Sequence, residues 1–211
     1  HPSIDKIEAS FSQPSVVMTG TRSKIVAAAT RTFARYGARK TAMADIAEAA
    51  GVSRQTLYAL FGNKDDLVAA TITYIAEQNF AKGEEGLRAC ASLEEELDVY
   101  FTRTIVSSFE LIEGSEDPED IMSGHSSAGR EALEAVKAQH TKLVSRLLTP
   151  YKSQIEAAGH TVNHLAHLCV TCARGFKYSA KNKRDLNVLL NALKTSVLLA
   201  VGDAGRKQRI A

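Results

Sequence analysis

The residues in this chain best suited to chemistry are hydrogen-bonding side chains on a short apolar spine. They are Arg54, Gln55, Thr56 and Tyr58, within "GVSRQTLYALFGNKDDL" at 51–67. On a helix stepping about 100° per residue, Leu57, Leu60 and Phe61 fall on one side and Gln55 and Ala59 on the other. Thr56 and Tyr58 lie on the flanks, and Arg54, in the first turn, can swing outward. Such a face suits the edges of base pairs. Glutamine can contact adenine bidentately, arginine can do so with guanine, and alanine can touch a thymine methyl. The hydroxyls of Thr56 and Tyr58 are placed for phosphates, which position a protein rather than specify a sequence. Thr41, Ser53 and Lys64 each fall at an expected helix start, where phosphate is attracted. A short amphipathic helix alone is better explained as a solvent-exposed piece of a bundle, because short periodic patterns are common, so the surrounding elements decide.

Those elements are helical. Thr21 is placed to cap a helix running to about Tyr36, with Ile25, Ala28, Ala29 and Phe33 on its apolar face and Gly37 as its stop. Thr41 is placed to cap a second helix, whose body is Ala42 to Ala50 and which ends at Gly51. Ser53 caps a third, Arg54 to Phe61, ended by Gly62. Asn63 starts a fourth, with Asp65 and Asp66 in its first turn as the macrodipole prefers, running to about Ala81. A helix, a glycine-containing turn and a second helix, with a supporting helix before them, make a helix-turn-helix. Arg22, Lys24, Arg31, Arg35, Arg39 and Lys40 add positive charge upstream. Residues 1–62 carry eight Lys/Arg against four Asp/Glu, although the whole chain is only +2. A basic N-terminal part suits a polyanion.

Residues 21–67 resemble the DNA-binding domain of TetR-family transcriptional regulators. The resemblance rests on Ala28 and Ala29, Phe33, Gly37, Thr41, "IA" at 46–47, "AAGVS" at 49–53, "TLY" at 56–58, Phe61, Lys64 and Leu67. It implies that Thr41, Arg54, Gln55, Thr56, Tyr58 and Lys64 contact DNA. Met43 and Ser53, at the starts of the second and third helices, complete the set. Leu60 departs from the family's frequent polar aromatic or histidine, but its inward direction predicts altered packing rather than lost binding. The resemblance also implies a bacterial homodimer reading a near-palindromic operator, with effector sensing in the remainder.

Beyond residue 67, after a glycine-flanked break that follows the fourth helix, further helices are expected at 93–112, 127–157 (bent at Pro150), 161–180 and 185–201, with a loop and short helical turn at 113–125. No segment sustains a period of two, so the fold class is all-α, of about nine helices. The domain division is a flexible arm at 1–20, a three-helix DNA-binding domain at 21–66, and an effector-binding and dimerisation domain at 67–211. Leu186, Leu189, Leu190, Leu193, Val197 and Val201 form a broad apolar stripe on the last helix. Leu165, Leu168, Cys169, Cys172 and Phe176 line one side of the helix before it, so these two helices are the expected dimer surface. Candidate pocket residues are Tyr74, Tyr100, Phe101, Thr104, Ser108, Phe109, Met122, His125, His164 and Phe176, mixing aromatic walls with a few polar handles. They suit a small, largely apolar or aromatic effector, although each is also an ordinary core residue type.

Other chemistries fit less well. His164, His167, Cys169 and Cys172 are close in sequence, but His167 and Cys169 fall about 160° apart on one helix, so no single ion gathers all four. "GHSSAG" at 124–129 lacks the spacing of a nucleophile elbow, and no phosphate-loop or dinucleotide fingerprint occurs, so neither an enzyme nor a cofactor is expected. The three cysteines do not read as a disulfide framework. No apolar run reaches the roughly 20 residues of a membrane span, and no signal peptide is evident, so a cytoplasmic protein is expected. The leading function is a ligand-released repressor. The alternative keeps DNA binding but gives the C-terminal part a protein partner or a role in activation.

Overall fold

The computed structural model describes residues 20–113 and 127–202. Its α-helices are α1 (Thr21–Tyr36), α2 (Met43–Ala50), α3 (Arg54–Leu60), α4 (Lys64–Leu87), α5 (Leu93–Tyr100), α6 (Ser107–Glu113), α7 (Ser127–Leu148), α8 (Lys152–Ala157), α9 (Val162–Ser179) and α10 (Lys183–Val201). A π-helical turn, Phe101–Val106, joins α5 to α6, and a 3-10 turn, Thr149–Tyr151, joins α7 to α8 at the expected proline bend. The described residues therefore read as eight continuous helices and no strand, an all-α fold. The arm at 1–19 and nearly all of the turn expected at 113–125, with Met122 and His125, lie outside the described residues. None of the described helices is long and apolar enough to cross a membrane.

Several expected helix ends move. Gly20, not Thr21, precedes α1 as its cap. Ala42, not Thr41, caps α2, because the Thr41 hydroxyl donates to the Gly37 carbonyl at 2.8 Å and is buried there. The Asp45 carboxylate replaces it, accepting the Ala42 N–H at 2.8 Å. α3 ends at Leu60, with Phe61 extended as its C-cap. α4 continues past Ala81 to Leu87, through two glycines that read in sequence as a break. Gly86 has a packing reason: a Cβ there would lie 2.8 Å from a methyl of Val99, so its absence lets the helix sit close. α10 begins at Lys183, two residues earlier than expected, because Asn182 caps it by accepting the Asp185 N–H.

The chain forms two compact units. One takes in the described residues up to Ala81 and those from Glu110 to Val136; the other takes in Lys82–Phe109 and the described residues from Lys137 onward. The first unit is built on Ile25, Val26, Ala29 and Phe33 of α1, Met43, Ile46 and Ala47 of α2, Leu57 of α3, Phe61, and Leu67 and Val68 of α4. In the second, α9 and α10 pack together, and both pack against the π turn. Leu186, Leu190, Leu193, Val197 and Val201 of α10 are buried within this unit. Lys194 ties α10 to α5 through both oxygens of Asp98, at 2.8 and 2.9 Å.

Candidate functional site

The turn before α3 is set by Gly51, whose φ of 66° and ψ of 37° place it in the left-handed region where glycine avoids a Cβ penalty. Its N–H and that of Val52 return to carbonyls of α2, closing the helix. Ser53 then caps α3 by accepting the Thr56 N–H at 3.0 Å. Its Oγ also lies 2.8 Å from the Thr56 Oγ1, so the two hydroxyls already share a hydrogen bond.

α3 has seven residues, of which only Leu57 is fully buried. Leu60 is half-buried against the same core, as its angular position required. Arg54, Gln55, Tyr58 and Ala59 are exposed together, Tyr58 to 50%. This leaves two long donors, a phenol and a small residue beside one another on the outward face. At the far end of the helix, the half-buried Lys64 donates to the Arg39 carbonyl at 3.1 Å, tying the start of α4 to the turn after α1. Two other expected contacts are internal. Thr41 is 3% exposed and Met43 7%, and Met43 is part of the core. Their residue types offered no signal of this; only the packing of α1 on α2 places them. Lys24, Arg31, Arg35, Arg39 and Lys40 are exposed.

The expected pocket residues do not form one group. Tyr74 packs against the core of the first unit. Tyr100, Phe101, Thr104, Ser108 and Phe109 follow one another along the π turn and its flanking helices in the second. The Thr104 hydroxyl donates to the Tyr100 carbonyl and that of Ser108 to the Thr104 carbonyl, both at 2.6 Å, so each is engaged by its own helix. Tyr100 is buried, and its hydroxyl has no hydrogen-bond partner among the described residues. Phe109 is buried, Phe176 half-buried and His164 exposed. Phe101 also lines an open groove of about 680 Å³ with Thr102, Val106, Arg184, Asn187 and Val188.

His140 was not anticipated as a site residue. It sits 5.7 Å from Tyr100, ring centre to ring centre, in an edge contact. Burial, and then the positive charges of Arg174 and Lys177, push its pKa down from 6.5 to about 4. The unfolded chain therefore binds the extra proton first, and native stability falls as pH drops through the window from 6.5 to about 4. His140→Gln should remove about 2 kcal/mol of the stability difference between pH 7.5 and pH 5, read by urea unfolding at both values.

Of the four residues weighed as metal ligands, His164 and His167 are exposed, Cys172 is half-buried and Cys169 is buried. Burial, with a smaller contribution from Cys172, pushes the Cys169 thiol up to about 12, so it is protonated at neutral pH. The outward face of the last two helices differs from the expected stripe. Most of that stripe is inside the unit, while Leu168, Tyr178, Val188 and Leu199 are exposed at 50%, 40%, 62% and 70%. Periodicity marks which residues share a face but does not say which face meets the rest of the chain.

Comparison with known proteins agrees with this geometry. Residues 25–71 match the family described as bacterial regulatory proteins, tetR family. A 78-residue segment is 40% identical to the probable HTH-type transcriptional regulator ArpR of Pseudomonas putida and 38% identical to the HTH-type transcriptional regulator TtgR of the same species. It covers 37% of this chain and 35% of each relative, so the match spans about a third of their length. A transcriptional regulator from Cytophaga hutchinsonii shares the fold over 89% of this chain and 100% of its own, with a TM-score of 0.68 at 19% identity. A transcriptional regulator from Rhodococcus does so over 86% and 97%, with a TM-score of 0.67 at 16% identity. Residues 25–71 thus carry the sequence of a tetR-family regulatory domain, and the chain shares its all-α fold with these solved transcriptional regulators.

Proposed function

We propose that this protein is a homodimeric, DNA-binding transcriptional repressor, released from a near-palindromic operator by a small, largely apolar or aromatic effector. The observation that carries the DNA-binding part is the outward face of α3, where Arg54, Gln55, Tyr58 and Ala59 are exposed together opposite the buried Leu57. In this reading Arg54 and Gln55 address base edges, and Ala59 lets the helix approach them. Tyr58, Ser53, Thr56 and Lys64 hold phosphates, and Thr41 and Met43 act from behind as packing. The DNA-binding domain is 21–66, preceded by an arm at 1–20, and 67–211 senses the effector and dimerises. Such a repressor works in the cytoplasm, where its operator is.

Two half-sites one helical turn apart require two copies. The outward side of α9 and α10 supports a dimer through these helices, since Leu168, Val188 and Leu199 are exposed beside Thr171, Gly175, Ala192 and Ser196, whose small size allows close approach. Leu199→Arg should convert the dimer to monomer in sedimentation equilibrium without lowering helix content; an unchanged mass would remove this surface from the reading. The groove beside Phe101 is within the size range of small-molecule sites. Effector binding shifts the population toward a state with the wrong half-site spacing, which requires tighter binding to that state. α4 is the natural lever, because it begins beside α3 and its last turns belong to the second unit.

The test is selection of bound fragments from the source genome, followed by titration of the winning site against salt. An enriched inverted repeat with steep salt dependence supports the reading. Absence of enrichment, with no binding even at low salt, overturns it.

A further inference from the structure

We propose that Arg22 is a positioning residue for the recognition helix, bracing its C-terminal end against α1 rather than contacting phosphate. This inference rests on the DNA-binding reading of α3. Arg22 is the second residue of α1, where a positive charge is disfavoured by that helix's own dipole. Its guanidinium reaches out of α1 instead. One nitrogen, Nη1, donates to the Leu60 carbonyl at 2.8 Å, and the guanidinium carbon lies 4.2 Å from the centre of the Phe61 ring.

Both contacts fall at the end of α3. Leu60 is its last residue, so its carbonyl is one of the four that a helix leaves without an internal partner, and the C-terminal end of a helix favours a cation. Phe61 is the C-cap, 2% exposed, with its N–H returned to the Leu57 carbonyl. Arg22 thus caps α3 and stacks on the residue that anchors it. The brace matters because α3 is short and has a single fully buried side chain, so few other contacts fix the direction of its outward face. A planar, multi-donor guanidinium can stack and donate at once, which lysine's ammonium does less well.

A brace and a phosphate contact predict different results for Arg22→Ala. A brace lost from α3 lowers affinity for the selected operator about three- to tenfold, leaves nonspecific affinity nearly unchanged, and keeps the slope of log affinity against log salt. A lost phosphate contact weakens both kinds of DNA alike and reduces that slope by about 0.9 per phosphate. Amide hydrogen exchange of the full chain without DNA supplies an independent reading: faster exchange confined to residues 54–61 is expected. Arg22→Lys should recover part of both effects. Reduced salt slope with equal losses, or unchanged exchange at 54–61, overturns the proposal. If the wild-type chain selects no DNA at all, the operator reading fails, while the exchange result still decides whether Arg22 braces α3.

Discussion

Gln55→Ala should lower operator affinity by about one to four orders of magnitude while leaving the fold intact. The stability part follows from position. Gln55 is exposed on α3 opposite Leu57, so truncation opens no cavity, and changes at such sites stay within about 0.5 kcal/mol. The binding part follows from the chemistry of the amide. A good bidentate contact to adenine discriminates by about 1–3 kcal/mol, and a symmetric dimer loses it twice. The loss should be specific: tolerance should relax at one base pair in each half-site, while affinity for unrelated DNA is nearly retained. Tyr58→Ala should behave differently, weakening all sequences alike, because a hydroxyl on phosphate carries no base information. Fluorescence anisotropy with the selected site, its single-base variants and a scrambled duplex separates the two. If Gln55→Ala binds the operator as tightly as wild type, α3 does not read bases through this residue.

Leu57→Ala should act on the other side of the same helix, destabilising the protein by about 2–5 kcal/mol. The Leu57 side chain is fully buried in a core shared by α1, α2, α3 and the start of α4. Removing it forfeits the transfer of the deleted methyl groups and leaves a cavity that four helices must collapse to fill. No second fully buried residue within α3 can take over; Phe61, just after it, holds only its end. Chemical denaturation should show the loss, and amide exchange within 54–61 should rise more than in α9 or α10. A loss below about 1 kcal/mol would mean that this core relaxes easily and that other contacts orient α3. Operator binding should fall with stability in this variant, whereas in Gln55→Ala the two separate.

The helix-turn-helix was legible because its signals are local. Gly51 needs a positive φ, Ser53 caps by its own side chain, and the period of Leu57, Leu60 and Phe61 fixes which side of α3 turns inward. These depend on residues within one or two turns of each other, so the sequence by itself determined the helices of this motif, their order and the outward direction of Gln55 and Ala59, while Tyr58, expected on a flank, is exposed beside them. It could not determine which polar or apolar residues are used up by distant neighbours. Thr41 looked like a cap and a phosphate contact, yet its hydroxyl serves the Gly37 carbonyl inside the core. The glycines before Leu87 looked like a break, yet Gly86 admits Val99. Arg22 looked like one more surface charge, yet its partners are 38 and 39 positions away, at Leu60 and Phe61. The same limit applies to the last helices, where Leu193 and Val197 are buried within the unit while Val188 and Leu199 are exposed. Periodicity ranks faces by hydrophobicity. Only tertiary packing decides which face meets the chain's own core, which stays exposed, and which charge reaches a distant carbonyl.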